Sequence, residues 1–240
     1  MKGGSQEGRS IQEASTEYYK RDFWIRENLN YAKPHFRLEK LARLINRLAG
    51  DREQELLDIG CGPASLRQLL RGNIHYHGID IAIHDPAPNL LQADFVESPI
   101  AFGNKQFDII VAQGVFEYVG SVQATKFSEI QKLLRKHGTF IASYVNFNHR
   151  DVRIFPAYNN IQPIGKFQDA LAWWFDIRRC FPTSHHWHHH EPTRRYMKTL
   201  QMGMTWTIPL LSRRLAVEYC YVCSLPGSKV AREGEGRSAG

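Results

Sequence analysis

Short apolar runs alternate with amphipathic segments from about residue 54 to residue 148. The segments "ELLDIG", "IHYHGIDI", "NLLQADF", "FDIIVAQG" and "TFIASYVNF" each have the length of a strand, whereas "SLRQLLRG" and "VQATKFSEIQKLLRKHG" have helical spacing. Nearly continuous apolar strands separated by helices are typical of a parallel sheet that is covered on both faces. The pattern therefore predicts an α/β fold with a doubly wound sheet.

Helical patterns precede this region, and a different pattern of polar and apolar residues follows it. "EYYKRDFWIRENL" and "FRLEKLARLINRLAG" predict two N-terminal helices that are separated at Pro34. After Asn148, turn-forming residues lead to a short helix in "KFQDALAWWF", a sixth strand in "DIRRCFPTS", a helical "EPTRRYMKTLQMG" and a closing strand in "LAVEYCYVCSLP". We expect a disordered N-terminus (1–10), an N-terminal helical cap (11–50), a main α/β domain (51–226) with pocket-forming insertions within 147–215, and a flexible tail (227–240).

The composition suits a soluble globular protein with one sizeable core. Of the 240 residues, 42% are hydrophobic and 23% are charged. No apolar run reaches the length of about 18 residues that a membrane helix needs, and the N-terminus lacks the apolar segment of a secretion signal. We therefore expect a cytoplasmic protein without a membrane partner.

Cys220 and Cys223 have C-x-x-C spacing within a predicted strand. Residues three apart on a strand point to opposite faces. We therefore expect two buried thiols rather than a shared metal ion or a disulfide.

Positive charge is concentrated in one part of the chain. The formal net charge is +7, and residues 150–215 contain ten Lys and Arg against four Asp and Glu. Such a local excess favours an anionic partner, and ordinary solvated charge is an equally weighted alternative.

The glycine-rich segment "LLDIGCGPAS" is the most informative motif. Gly60 and Gly62 lie between a predicted strand and a predicted helix, where glycine permits a tight turn and a close approach to a ligand. Ser65 occupies the position of the third glycine in a dinucleotide fingerprint. Asp58, two residues before Gly60, is unfavourable beside a pyrophosphate and favourable beside an ammonium or sulfonium group. These features argue against a nicotinamide dinucleotide.

Acidic residues end the next two strands. Asp80 ends the second strand, where two carboxylate oxygens match the two hydroxyls of a ribose. Asp94 ends the third strand, in position to accept a hydrogen bond from an adenine amine, and Phe95 is placed to pack on the ring. A surface or helix-capping role is the alternative for each acid. The pattern favours an adenosine-containing ligand.

Five segments in this order resemble the class I S-adenosylmethionine-dependent methyltransferases. They are "LLDIGCG", "GIDI", "LLQADF", "FDIIVAQGVFEYV" and "LLRKHGTFIASYV", and the similarity covers residues 54–146, with looser agreement to residue 225. The resemblance implies a seven-stranded sheet of order 3-2-1-4-5-7-6 with strand 7 antiparallel. It also implies S-adenosyl-L-methionine as cofactor and S-adenosyl-L-homocysteine as product.

The resemblance also assigns the cofactor contacts by position. Tyr19, in the first predicted helix, is expected to close over the cofactor, with ordinary helix packing as the alternative. The other implied contacts are Gly60 and Gly62 at the methionine part with Asp58 nearby, Asp80 and Ile81 at the ribose, Asp94 and Phe95 at the adenine, and the backbone carbonyl of Gln113 at the ammonium group.

The acceptor pocket in this family is built from the N-terminal helices and from insertions after strands 4 and 5. "GVFEYV" replaces the commoner "LEH" pattern after strand 4 and places Glu117 and Tyr118 there. Tyr158 is a further candidate. Arg194 and Arg195 are placed to clamp a carboxylate-bearing acceptor.

A dense histidine stretch, "HHWHHHEPTRR", follows the sixth strand. Three interpretations stay open: a metal site, a catalytic base, or a polar surface. A metal site needs a third ligand that the fold must supply, and we assign none. Imidazole titrates near neutral pH, so the candidate bases are His149, His186, His188 and His190.

The leading hypothesis is a methyltransferase that acts by in-line displacement on an oxygen or nitrogen of a small, polar metabolite or natural product, either neutral or anionic. A nucleic-acid partner is not expected because the chain has no separate RNA-binding module. An RNA or protein methyltransferase that uses the basic 150–215 segment is the first alternative. A non-catalytic regulatory protein that binds the cofactor is the second. The oligomeric state is left open.

Overall fold

The structure is a computed structural model of the chain. It describes residues 23–26, 32–34, 36–149, 152, 158–184 and 216–227. All structural statements below concern these residues.

Seven strands of the described residues form one sheet of order β3-β2-β1-β4-β5-β7-β6. Strands β1 to β5 are parallel, and β7 is antiparallel to both of its neighbours, β5 and β6. The strand order and the antiparallel strand that the family resemblance implies are therefore confirmed. The strands are β1 (Gln54–Ile59), β2 (Ile74–Asp80), β3 (Leu90–Gln92), β4 (Phe107–Ala112), β5 (Leu134–Val145), β6 (Asp176–Ser184) and β7 (Glu218–Ser224).

In the part of the chain that the structure describes, three α-helices flank the sheet: α1 (Phe36–Ala49), α2 (Gln123–Leu133) and α3 (Ile164–Trp174). Short 3-10 helices lie at Ser65–Leu69 and Gly120–Val122. Residues 23–26 are also helical. No helix among the described residues is both long and apolar enough to cross a membrane.

The helix predicted at "SLRQLLRG" is present as a short 3-10 helix, Ser65–Leu69, that ends before the predicted segment does. Ala64 has a left-handed backbone (φ 55°) immediately before it, and Leu70 is extended immediately after it. Asn46 of α1 then pins the end of the turn, since its amide donates to Leu69 O (3.0 Å) and its side-chain oxygen accepts from Arg71 N (3.0 Å). A longer helix would use the Leu69 carbonyl for its own hydrogen bonds, but this carbonyl already accepts from Asn46 of α1.

The helix before β5 also ends earlier than the pattern predicts, at Leu133 instead of running through Gly138. Leu134 is already extended and pairs with Phe107 of β4. The register between β4 and β5 shifts after this pair, and a side chain on Gly138 would meet the side chain of Leu134 at 2.8 Å. Strand pairing therefore replaces the last helical turn.

The sheet separates two apolar cores. One contains Leu41 and Ile45 of α1 against Val111 and Cys220, and the other contains the phenylalanines of α2 and α3 together with Cys223. Cys220 and Cys223 are free and buried, one in each core. The expectation of opposite faces for the two thiols is confirmed.

Strand β1 lies between β2 and β4. Strands β2 and β3 are added on one side of β1, and β4 and β5 on the other, so the strand order reverses at β1. The connections on either side of such a reversal open a crevice at the carboxyl ends of the strands. The glycine loop after β1 and the loop after β4 are the two walls of this crevice.

Candidate active site

The glycine loop is held tightly against the loop after β4. Gly60 and Gly62 have positive φ angles of 71° and 52°, and Gly60 N donates to Ile79 O at 2.8 Å. A Cβ on Gly60 would lie 2.5 Å from Cγ2 of Val115. Glycine is therefore required there by both backbone conformation and space.

Asp80 connects the end of β2 to the glycine loop. Its Oδ2 accepts a hydrogen bond from Gly62 N and its Oδ1 accepts one from Ala82 N, both at 2.8 Å. An ionised carboxylate only accepts hydrogen bonds and has about four acceptor positions, so Asp80 can hold the backbone of two loops at once. Ile81, the next residue, is half-buried beside it.

Asp58 lies in β1, two residues before Gly60. The residue is 5% exposed, and the hydroxyl of Tyr76 donates to its Oδ2 at 2.7 Å. Burial raises the pKa of Asp58 to about 7, the Tyr76 hydrogen bond opposes this rise, and the charge of Asp80 adds to it. Its contact with the cofactor stays a prediction.

Asp94 and Phe95 follow β3. Asp94 Oδ1 accepts a hydrogen bond from Val96 N at 2.8 Å, which caps the local turn. Phe95 is 7% exposed, and its ring lies under the Lys126 ammonium at 5.2 Å. Their contacts with adenine stay predictions.

The loop after β4 begins with Gln113 and Gly114. Gly114 has a φ of 67°, and its N–H donates to Ser143 Oγ at 2.8 Å. The side-chain oxygen of Gln113 is buried and has no hydrogen-bond partner among the described residues. Gln113 also lines a small cavity with Lys40 and Thr183 that has about the space of one water molecule.

Glu117 is buried at the carboxyl ends of β4 and β5. It is 1% exposed, and its Oε1 accepts from Val145 N at 2.8 Å. Its Oε2 has no hydrogen-bond partner in the described part of the chain. Burial raises the pKa of Glu117 to about 8, and the neighbouring Glu218 contributes to the rise. Burial therefore favours the protonated form of this carboxyl group.

Aromatic rings gather beside Glu117. The ring centroid of Tyr118 lies 5.4 Å from that of Trp24 and 5.0 Å from that of Tyr158. Tyr158 in turn lies 5.4 Å from Phe147. All four rings are only partly buried. The structure thus brings together Glu117, Tyr118 and Tyr158, three of the predicted substrate-binding residues.

His149 is half-buried four residues after β5, and its N–H donates to Asn146 O at 2.8 Å. Within the described ranges, no group of three or more His, Cys, Asp or Glu is placed to hold a metal ion. The other predicted residues, Tyr19, His186, His188, His190, Arg194 and Arg195, lie outside the described residues.

A buried polar network next to Gly114 is missing from the sequence-based prediction. Its members are Arg37, Lys40, Ser143, Thr183 and Glu218. Two signals in the sequence point to it. Arg37 and Lys40 fall on the apolar face of α1, and Glu218 is a single acid within the apolar run "AVEYCYVC".

A family model described as a methyltransferase domain matches residues 34–200, more than half of the 240-residue chain. The chain belongs to the class I S-adenosylmethionine-dependent methyltransferases. Its cofactor is S-adenosyl-L-methionine. The tightly packed glycine loop and Asp80, which accepts two backbone hydrogen bonds, fit such a ligand.

Solved structures of this methyltransferase fold are similar in three dimensions at low sequence identity. The CcbJ methyltransferase from Streptomyces caelestis has a TM-score of 0.53 at 10% identity, over 80% of this chain and 90% of that chain. A methyltransferase from Archaeoglobus fulgidus has a TM-score of 0.52 at 15% identity, over 78% of this chain and 91% of that chain.

The (4+2)-cyclase SpnF also matches, with a TM-score of 0.53 at 15% identity, over 78% of this chain and 80% of that chain. At these identities the likeness concerns the fold alone. A comparison with curated proteins found no match.

Proposed function

We propose that this methyltransferase moves a methyl group by in-line displacement to an oxygen or nitrogen of a small, polar metabolite or natural product, either neutral or anionic. The observation that carries the proposal is the buried Glu117 beside the Tyr118 and Tyr158 rings, at the carboxyl edge that also holds the glycine loop. A half-enclosed aromatic wall with one polar group suits a small molecule.

The cofactor supplies an electrophilic methyl group on a sulfonium. The protein must orient the acceptor in line with it and exclude water. In the proposed site, Asp80 holds the ribose, and Gly60 and Gly62 let the backbone approach the methionine part. Asp94, Phe95, Ile81 and Tyr19 complete the proposed cofactor contacts.

Glu117 is proposed to orient the acceptor. As a protonated acid its Oε2 donates a hydrogen bond, and as a carboxylate it accepts one from an amine or hydroxyl. A hydroxyl nucleophile needs a base, whereas an amine can arrive neutral. The proposed bases are His149, His186, His188 and His190, and Arg194 and Arg195 are proposed to clamp an anionic group.

Calorimetry with S-adenosyl-L-homocysteine tests the cofactor part of the proposal. Asp80→Ala removes both loop hydrogen bonds and the two positions for ribose hydroxyls, so we expect affinity to fall at least about tenfold. Asp85→Ala, at an exposed aspartate in the following loop, is the matched control and should bind like the wild type. Equal affinity for the Asp80 variant would contradict the assignment.

Transfer of a labelled methyl group tests the acceptor class. Purified enzyme is incubated with methyl-labelled cofactor and separate small-molecule, RNA and protein fractions of a cell extract. Label in the small-molecule fraction supports the proposal. Label in RNA or protein would replace it with the first alternative, and cofactor binding without transfer to any fraction would favour the regulatory protein.

A further inference from the structure

One carboxylate, that of Glu218, is buried at the start of β7, between the ends of β5 and β6. Glu218 is 3% exposed and sits among apolar neighbours in a strand whose residues are all buried. Removing such a charge from water is costly unless it is paired and hydrogen-bonded. Its partners therefore show what this costly group stabilises.

Three donors from three different elements satisfy Glu218. Its Oε1 accepts from Arg37 of α1 at 2.5 Å and from the Ser143 hydroxyl of β5 at 2.6 Å. Its Oε2 accepts from the Thr183 hydroxyl of β6 at 2.6 Å. The carboxylate thus ties α1, β5 and β6 together at one point near the carboxyl end of β5.

Ser143 extends this network to the loop after β4. Its hydroxyl proton is used towards Glu218, so its lone pairs are left to accept the N–H of Gly114 at 2.8 Å. The direction of both hydrogen bonds is fixed, because an ionised carboxylate only accepts. Arg37 Nη2 also lies 3.9 Å from the position that a Cβ on Gly114 would occupy.

The N–H of Gly114 and the carbonyl of Gln113 belong to the same peptide group. This peptide is trans, as are all peptide bonds of the described residues, so its N–H and C=O point in opposite directions. The N–H points to Ser143 on β5, and β4 lies between β5 and β1 in the sheet. The carbonyl therefore points away from Ser143 and β5, and β1 with its glycine loop lies on the other side of β4 from β5.

We propose that Ser143, held in place by Glu218, is a positioning residue that orients the Gln113–Gly114 peptide and so aims the Gln113 carbonyl at the ammonium group of the cofactor's methionine part. The inference rests on the proposed cofactor contacts. It assigns a function to a buried polar group far from Gln113 in the sequence, and it makes a specific prediction about which end of the cofactor is affected.

The binding of two ligands distinguishes the positioning role of Ser143 from a general role in stabilising the fold. S-adenosyl-L-homocysteine carries the amino-acid group, whereas 5′-methylthioadenosine has the same adenosine and a thioether without it. For Ser143→Ala, calorimetry should show about tenfold weaker binding of the first ligand and less than about twofold change for the second. The ratio of the two dissociation constants is the readout.

Two further variants at the same position test the hydroxyl itself. Ser143→Thr keeps the hydroxyl and should retain a ratio near that of the wild type. Cysteine is similar in size to serine, but its thiol is a weaker hydrogen-bond donor and acceptor. Ser143→Cys should therefore shift the ratio of the two dissociation constants in the same direction as Ser143→Ala. It also provides a measurement if the alanine variant folds poorly. A threonine variant as defective as alanine would overturn the proposal.

Ser224→Ala is the matched control. Ser224 is also a buried serine in the sheet, but it lies at the other end of β7, where its Oγ accepts from Arg178 at 2.8 Å. It should leave the ratio unchanged. An equal loss for both ligands in Ser143→Ala, or no loss for either, would overturn the inference while the proposed function stands. A wild-type protein that binds neither ligand would overturn both.

Discussion

Gly60 is the residue at which backbone and packing demands coincide. Its φ of 71° is unfavourable for side chains, and a Cβ would overlap Val115 at 2.5 Å. Val115 is in a loop that is itself packed in the core, so it has little freedom to move. The glycine loop is therefore defined as much by the loop after β4 as by its own sequence.

We expect Gly60→Ala to lower the free energy of unfolding by about 3 kcal/mol, from left-handed strain together with overpacking. Urea denaturation measures this. Gly72→Ala is the control, since nothing lies within 4 Å of a Cβ there. A Gly60 variant as stable as the Gly72 variant would contradict the packing argument.

The stability of the protein should depend on pH through the buried carboxyl group of Asp58. Its pKa is about 7 in the folded protein against an ordinary value of 3.8. Between these values the folded state holds a proton that the unfolded state has released, so the contribution of Asp58 to stability falls as pH rises from about 4 to above 7.

Asp58→Asn removes this titration and keeps an oxygen that can accept from Tyr76. The stability of the variant relative to wild type should therefore increase between pH 4 and pH 8, as measured by urea denaturation at several pH values. Tyr76→Phe removes the hydrogen bond that lowers the pKa of Asp58 and should extend the loss of stability to higher pH instead. A pH-independent difference for Asp58→Asn would contradict the buried titration.

At the scale of elements, helix α1 is anchored to the sheet by two charged residues on its apolar face. Arg37 bonds to Glu218 of β7, and Lys40 Nζ donates to the carbonyl of Thr183 in β6 at 2.9 Å. The Lys40 ammonium also lies 5.4 Å from the Phe36 ring centroid. The apolar residues position the helix on the sheet, and these two contacts specify its placement over β6 and β7.

Lys40 gives the prediction for this element. Burial lowers its pKa from 10.5 to about 7, although the charge of Glu218 acts in the opposite direction. From about pH 7 to pH 10.5 the unfolded state therefore binds more protons than the folded state, and stability rises with pH. Below about pH 7 the buried ammonium is charged, and its burial lowers the stability of the folded protein by the full amount.

Lys40→Met removes the ammonium, so its stability relative to wild type should be more favourable at pH 6 than at pH 10. Denaturation at the two pH values measures this difference. Arg43→Met, on the exposed side of the same helix, is the control because arginine stays charged throughout. A larger relative stability of Lys40→Met at pH 10 would contradict the argument.

At the scale of the whole molecule, the reversal of strand order at β1 places residues from distant parts of the sequence around one crevice. A ligand that contacts the loops after β1, β2, β3 and β4 should stabilise the whole fold by binding only the native state. At a ligand concentration one hundred times the dissociation constant this amounts to about 2.7 kcal/mol.

We therefore expect S-adenosyl-L-homocysteine to raise the melting temperature by about 5–10 °C in a thermal shift assay. NAD is the control ligand, because Asp58 lies beside the loop and position 65 is Ser65 instead of a third glycine. A larger shift with NAD would contradict the cofactor assignment.

The sequence alone determined the order and type of most elements. Apolar periodicity in strands such as β4 and β6 is a local property, and glycines and carboxylates at strand ends mark the crevice wherever the strands finally pair. The predicted sixth strand has the observed bounds, Asp176–Ser184. Asp80 could be placed at the crevice because it ends β2, the strand that pairs with β1, and its contact with the ribose stays a prediction.

Only the tertiary structure decided the network around Glu218 and the buried state of Glu117. Arg37 and Glu218 are 181 positions apart, and the value of a buried charge depends on the partners that folding brings to it. The end of α2 and the 3-10 turn after the glycine loop were likewise decided by strand pairing and by the Asn46 contacts, which no local pattern contains.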